Sequence, residues 1–197
     1  MNDNAEILLK LATQRKTVRV FKQERPPNTD IRCVLETACQ APSGSNKQPW
    51  HFLIIDDPTV KAQVREAAEE GEKTFYDTIS PKRRMAYKAM GNSWQKPMLE
   101  NAPILIVVVS DMSSPNFKPS VWLLVGYLVL ALQAAGIGSV TYTPSNSQKV
   151  ADVLKIPDGY QLESILPIGY SDDPKKKSLR KTLETVTFKN QWGESFK

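Results

Sequence analysis

From Val121 to Ala135 the chain runs VWLLVGYLVLALQAA without a charged residue. Apolar side chains fall on every side of such a helix, the pattern of one buried in a core or an interface. Its densely apolar part, about 15 residues, is shorter than the roughly 20 that a membrane span needs. Ser120 is the expected cap, with Gly136 and Gly138 as the stop. Met1 to Glu6 is polar and acidic and has no apolar segment, so no secretory leader is expected. The expectation is a soluble, cytoplasmic protein with no membrane partner.

The other elements must cover that helix. Ala5 to Gln14 spaces Ile7, Leu8, Leu11 and Ala12 as a helix does. After Pro26-Pro27, Thr29 or Asp30 is expected to cap a helix over Ile31 to Ala41. Pro42 to Asn46 is a turn cluster, and His51 to Ile55 a buried strand. Val60 to Glu70 reads as helix, and Gly71 to Asn92 as charged, aperiodic helical pieces. Ile104 to Val109 and Leu162 to Gly169 are strands rich in β-branched or apolar residues. Val140 to Thr143 is a short strand and Gln148 to Leu154 a short helix. Helices alternate loosely with strands far apart in sequence, which predicts one α+β domain over residues 1–197, with helices layered on a mixed sheet.

The 197 residues carry a net charge of +5, which admits nucleic acid or an anionic ligand. Lys82-Arg83-Arg84 and Lys175 to Lys177 are the best basis for a nucleic-acid reading. Cys33 and Cys39 suit two core thiols, and the single His51 has no cysteine or carboxylate cluster beside it, so no metal site is expected. No GxSxG elbow, P-loop or dinucleotide fingerprint is present. An enzyme built this way would use an organic cofactor.

Three segments carry that possibility. Arg15-Lys16-Thr17-Val18-Arg19 sets two guanidinium groups, an ammonium and a hydroxyl within five residues, a phosphate grip or a solvated helix end. Ala41-Pro42-Ser43-Gly44-Ser45-Asn46-Lys47-Gln48-Pro49-Trp50 is a turn whose small residues let the backbone approach a flat ligand, or a plain helix-to-strand turn. Val140 to Pro144 is answered by Leu166-Pro167-Ile168-Gly169-Tyr170 and then by Leu179-Arg180-Lys181.

In this order the segments resemble the FMN-dependent nitroreductase superfamily over roughly residues 7 to 188. Thr17 replaces its usual serine and Lys16 a common arginine. Within it the details are similar to the iodotyrosine deiodinases. Pro42-Ser43-Gly44-Ser45 resembles their Pro-Ser-Gly-Ala. Trp94-Gln95-Lys96 before Asn101-Ala102-Pro103 resembles their Trp-x-Lys before Thr-Ala-Pro. Thr141-Tyr142-Thr143-Pro144-Ser145-Asn146 resembles their Thr-Thr-Thr-Pro-Leu-Asn. Glu72 and Tyr76 have the spacing of the lid pair, with Lys96 following; a one-residue slip would put Phe75 in the tyrosine's place.

The resemblance implies a three-layer α/β/α sandwich with a mostly antiparallel sheet, an intertwined homodimer, a lid over 71–96 and a C-terminal arm over 175–197. It implies FMN held by Arg15, Lys16, Thr17, Val18, Arg19, Pro42, Ser43, Gly44, Thr141, Tyr142, Thr143 and Arg180. Thr143, near the flavin's N5, would be the catalytic residue and favour one-electron steps. Ser45, through its backbone N–H, Glu72, Tyr76 and Lys96 would bind the substrate. The implied reaction is reductive dehalogenation of halotyrosines such as 3-iodo-L-tyrosine, with NAD(P)H or a reductase as electron donor. A general NAD(P)H-dependent nitro- or quinone reductase is the alternative. No nucleic acid is expected as partner.

Overall fold

The computed structural model describes residues 2–196. Met1 and Lys197, which end the polar start and the basic arm, lie outside them. In chain order the elements are α1 (Asp3–Gln14), α2 (Asn28–Ala38), β1 (Trp50–Ile55), α3 (Pro58–Thr78), α4 (Pro81–Ala89), α5 (Met98–Asn101), β2 (Ile104–Asp111), α6 (Phe117–Ala134), β3 (Gly138–Ser139), α7 (Ser147–Val153) and β4 (Tyr160–Gly169).

The strands form one sheet in the order β1-β2-β4-β3. Each ladder is antiparallel. The mixed character expected of it rests on one parallel bridge, Thr17 to Ser139. Strand β2 is ILIVVVSD, buried from Ile104 to Ser110. Because side chains alternate along a strand, it feeds two cores. Leu105, Val107 and Val109 join Val64, Ala68, Leu99 and Val150 on the α3, α5 and α7 side. Ile104, Ile106 and Val108 join Val34, Leu124, Leu128 and Leu132 on the α2 and α6 side. The result is the three-layer arrangement.

Several boundaries differ from expectation. Helix α6 starts at Phe117 rather than after Ser120, because a proline in the first turn has no N–H to satisfy there and Pro119 is tolerated. Helix α2 starts at Asn28, where the Pro27 carbonyl accepts from the Asp30 and Ile31 N–H groups and no side chain caps. The short strand expected at 140–143 lies at Gly138–Ser139. Tyr142 then rejoins β4 by exchanging backbone hydrogen bonds of 2.9 and 2.8 Å with Ile165.

The aperiodic 71–92 stretch is the end of α3 followed by α4. Helix α3 buries Lys61, Val64, Ala67, Ala68, Gly71 and Glu72, a face of small residues and two charges that leaves little apolar periodicity to read. Helix α6 covers the sheet with Val121, Leu124, Val125, Leu128 and Leu132, while Trp122, Leu123 and Tyr127 stay exposed. At 18 residues and mean hydropathy 1.4 it has the length and composition of a membrane span, and its packing on the sheet accounts for one face.

Candidate active site

Gly138 sets up the cationic end of the site. A Cβ there would lie 3.0 Å from Val18 Cγ2, so the glycine lets residues 17–18 close on β3. The Val18 N–H donates to the Ser139 carbonyl at 2.9 Å and its side chain is in the core. Beside it Asp173, 6% exposed, accepts from the Arg19 and Lys175 N–H groups at 2.8 and 2.9 Å. Burial pushes the Asp173 carboxyl up, but these N–H groups and the charges of Lys16 and Lys175 outweigh it and hold it below its usual range. The Lys16 ammonium donates to the Asp173 and Lys175 carbonyls. The arm is thereby tied to the segment that follows α1.

The arm delivers Arg180 and Lys177 to Arg15. Burial and then Arg180 lower the Arg15 pKa. Burial, then Arg180 and Arg15, lower that of Lys177, whose ammonium donates to the Ala12 and Thr13 carbonyls at 2.7 and 2.8 Å. Three cations thus meet, bonded among the described residues to backbone carbonyls and to no carboxylate, which is the donor set that a phosphate requires. Lys177 and Asp173 had no sequence signal beyond the basic run, because their partners lie some 160 residues away.

The turn after α2 is strained. Ser45, Asn46 and Gln48 have φ of 50°, 53° and 48°, and a non-glycine residue in the left-handed region costs on the order of 1 kcal/mol. Ser43 Oγ accepts from the Gln48 N–H at 3.0 Å, and Ser120 Oγ accepts from the Gly44 N–H at 3.1 Å. Ser120, expected as a helix cap, instead pins this turn to α6. The Ser45 N–H is exposed and has no acceptor among the described residues, so it is free for an oxyanion. Pro42 is exposed beside it.

Glu72, Tyr76 and Lys96 come together. Lys96 Nζ lies 3.1 Å from Glu72 Oε2, with the two side chains 13% and 8% exposed. The same ammonium lies 5.9 Å from the Tyr76 ring centre and 5.7 Å from that of Tyr142. Phe75 packs edge-on against Tyr76 and stacks on Tyr87, and of the two it is Tyr76 whose ring lies near the Lys96 ammonium. Glu72 Oε1 accepts from the Tyr142 hydroxyl at 3.0 Å and from the Ser145 hydroxyl and N–H at 2.8 and 3.3 Å. Burial and then Glu72 raise the Tyr142 pKa far above its usual value, and burial, then Glu72 and Tyr87, raise that of Tyr76. Tyr142, expected at the cofactor, also turns its hydroxyl onto Glu72. Ser145 was not foreseen. Arg84 and Arg83 of the basic run bond the Tyr76 carbonyl and the Tyr87 hydroxyl, at 2.6 and 3.0 Å.

A cavity of about 300 Å³ has Arg19 and Lys96 in its lining, with Met98, Val140, Thr141 and Tyr142 among others. Thr141 and Thr143 are exposed on the segment that borders it. The described residues contain no cluster of metal ligands.

A family model described as the nitroreductase family matches residues 12–170. An iodotyrosine deiodinase of Thermotoga neapolitana is 46% identical over 87% of this chain and 92% of its own length. One from Haliscomenobacter hydrossis is 34% identical over 79% and 75%. A crystal structure of oxidized iodotyrosine deiodinase bound to FMN and 3-iodo-L-tyrosine superposes with a TM-score of 0.88 at 44% identity, covering 93% of this chain and 98% of that one.

Proposed function

The chain belongs to the nitroreductase family, and from that premise we propose that it is an FMN-dependent oxidoreductase that reductively dehalogenates halotyrosines such as 3-iodo-L-tyrosine. The observation that carries this reading is the buried pair of Glu72 and Lys96, an anion and a cation 3.1 Å apart. An amino-acid head group is an ammonium beside a carboxylate. Glu72 takes the first and Lys96, with Tyr76, the second. A nitroaromatic or quinone has oxygens that Lys96 could meet but no ammonium for Glu72.

FMN, when bound, supplies the two electrons that, with a proton, replace the carbon–halogen bond by carbon–hydrogen and release halide; NAD(P)H or a reductase replaces them. Arg15, Arg19, Lys177 and Arg180 would hold its phosphate, on the segment after α1 that Lys16 and Thr17 brace. Ser43 and Gly44 give it a flat backbone surface. Thr143 offers a hydroxyl to its reactive edge. The Ser45 N–H holds the substrate phenolate, where a fixed donor stabilises charge. Glu72, Tyr76 and Lys96 close the other end, and excluding water there strengthens the ionic contacts.

We place this chemistry in a homodimer. Ile7, Leu8 and Leu9 on α1, Trp122, Leu123 and Tyr127 on α6, and Leu179, Leu183 and Trp192 on the arm are all exposed in the single chain, more apolar surface than a monomer usually leaves in water. The free thiols of Cys33 and Cys39 suit the reducing cytoplasm we propose for it.

The test is a single anaerobic turnover of 3-iodotyrosine by chemically reduced holoenzyme. Tyrosine and iodide in equal amounts are expected. Efficient nitroaromatic reduction with no iodide released would overturn the assignment in favour of a general nitro- or quinone reductase.

A further inference from the structure

Two residues of the segment Thr141 to Asn146 depart from the Thr-Thr-Thr-Pro-Leu-Asn pattern it resembles: Tyr142 stands for the second threonine and Ser145 for the leucine. These are the two residues whose hydroxyls bond Glu72 Oε1. A leucine has no hydroxyl, and a threonine at 142 lacks the ring that carries the Tyr142 oxygen to Glu72. The contact therefore belongs to this chain's own residues.

Donor counting gives it a consequence. Oε1 receives three donors at 2.8–3.3 Å, more than its two lone pairs accept at full strength. Among the described residues Oε2 has Lys96 alone, and so keeps room for one more donor. Lys96 in turn divides its three protons between Glu72 and the Ser93 carbonyl, with one remaining. The carboxylate is fixed from behind by groups on the segment between β3 and α7. It is held beside Gly71, where a Cβ would lie 2.8 Å from Asn146 Cβ.

We propose that Tyr142 and Ser145 are positioning residues that fix Glu72 in the rotamer presenting Oε2 to a substrate ammonium, and so make this site selective for halophenols that carry an α-amino acid group. The proposal rests on the halotyrosine reading above. Glutamate has three side-chain torsions to order, and a ligand that finds them already ordered binds more tightly. Halophenols without an ammonium gain nothing from the arrangement.

The experiment compares FMN-loaded wild type with Tyr142→Phe, Ser145→Ala, the double variant and Ser145→Thr. Flavin fluorescence quenching gives Kd for 3-iodotyrosine and for 2-iodophenol, and turnover gives KM and kcat. Removing a hydrogen bond to a charged group weakens binding by about tenfold or more. Each single variant should therefore lower the iodotyrosine-to-iodophenol affinity ratio about tenfold, and the double variant further. The loss should fall on KM, with kcat within a few-fold, and Ser145→Thr should restore the ratio. A ratio within twofold of wild type in the double variant, or equal weakening of both ligands, overturns the proposal. If Tyr142→Phe fails to fold, Ser145→Ala carries the test alone, since it removes one hydroxyl and no core volume. If wild type releases no iodide from either compound the deiodinase reading falls, and the binding ratio still decides the positioning role.

Discussion

Gly71 lies inside α3, where glycine is less favourable than alanine by about 1 kcal/mol. A Gly71→Ala substitution should therefore stabilise the helix, were it not for what the methyl meets. Its Cβ would sit 2.8 Å from Asn146 Cβ and 3.1 Å from Asn146 N. Carbon pairs rest at about 3.5–4.0 Å, so α3 must retreat from the start of α7 by roughly 1 Å, because neither atom is the end of a flexible side chain. Overpacking of this kind costs about 1–3 kcal/mol. Set against the propensity gain, the net effect is a loss of about 0–2 kcal/mol, or a fall in Tm of up to about 8 °C for a domain of this size. Function should suffer more. Glu72 is the next residue, and its contact to the Ser145 N–H, at 3.3 Å, is already long. Misplacement by about 1 Å costs up to 10²-fold, so Kd for 3-iodotyrosine should rise ten- to a hundredfold. Thermal unfolding of the FMN-loaded protein and a quenching titration measure both. A Tm that rises by 2–4 °C, with unchanged iodotyrosine affinity, would mean that α3 and α7 yield freely at this contact, and the reasoning fails.

Arg180→Ala should weaken FMN binding about tenfold or more and reduce its dependence on salt, since one charge-assisted contact is lost; flavin fluorescence after dialysis at two ionic strengths checks it. Glu72→Gln should weaken 3-iodotyrosine at least ten times more than 4-nitrophenol, measured by quenching of bound flavin, because only the first has an ammonium. Alkaline unfolding tests Tyr142, whose folded-state pKa is raised by burial and by Glu72. The unfolded chain releases this proton near pH 10 while the folded chain keeps it, so the contribution is complete below pH 10 and declines as pH climbs from there towards the folded value. Urea midpoints from pH 8 to 11 should fall more steeply for wild type than for Tyr142→Phe; parallel lines refute it.

The layers of this fold were legible because β2, β4 and α6 are dense in apolar residues, and density survives any error of register. The limits of elements were less so. Ser120 has the chemistry of a cap and sits just before the apolar run, yet it serves the Gly44 turn, since Asn116 to Pro119 already forms the first turn of α6. Helix α3 escaped beyond Glu70 because Gly71 and Glu72 are buried by a close approach and by hydrogen bonds rather than by hydrophobicity. In the site, Arg15 to Arg19 and the Glu72, Tyr76 and Lys96 set were readable as clusters or spacings. Asp173, Lys177 and Ser145 were not. Each acts through a partner brought near by the fold, as when the Lys16 ammonium meets the Asp173 carbonyl across 157 residues of chain.

The two ends of the site are preorganised in opposite senses, and the difference matches their tasks. At one end Arg15, Lys177 and Arg180 are held together against their own repulsion, and burial first, then that repulsion, lowers the affinity of Arg15 and Lys177 for protons. What holds them is indifferent to the ligand. Lys177 is bonded to carbonyls near the C-terminal end of α1, where the helix dipole favours a cation, and Lys16 ties the arm in place. The repulsion is thus built in at folding and relieved when an anion arrives, so all of the relief appears as affinity for a resident cofactor. At the other end Glu72 and Lys96 are already paired. A zwitterion must share or divide their contact, and its net gain is the difference between two similar sets of bonds. Binding there is selective without being tight, as a group that must enter and leave at every turnover requires.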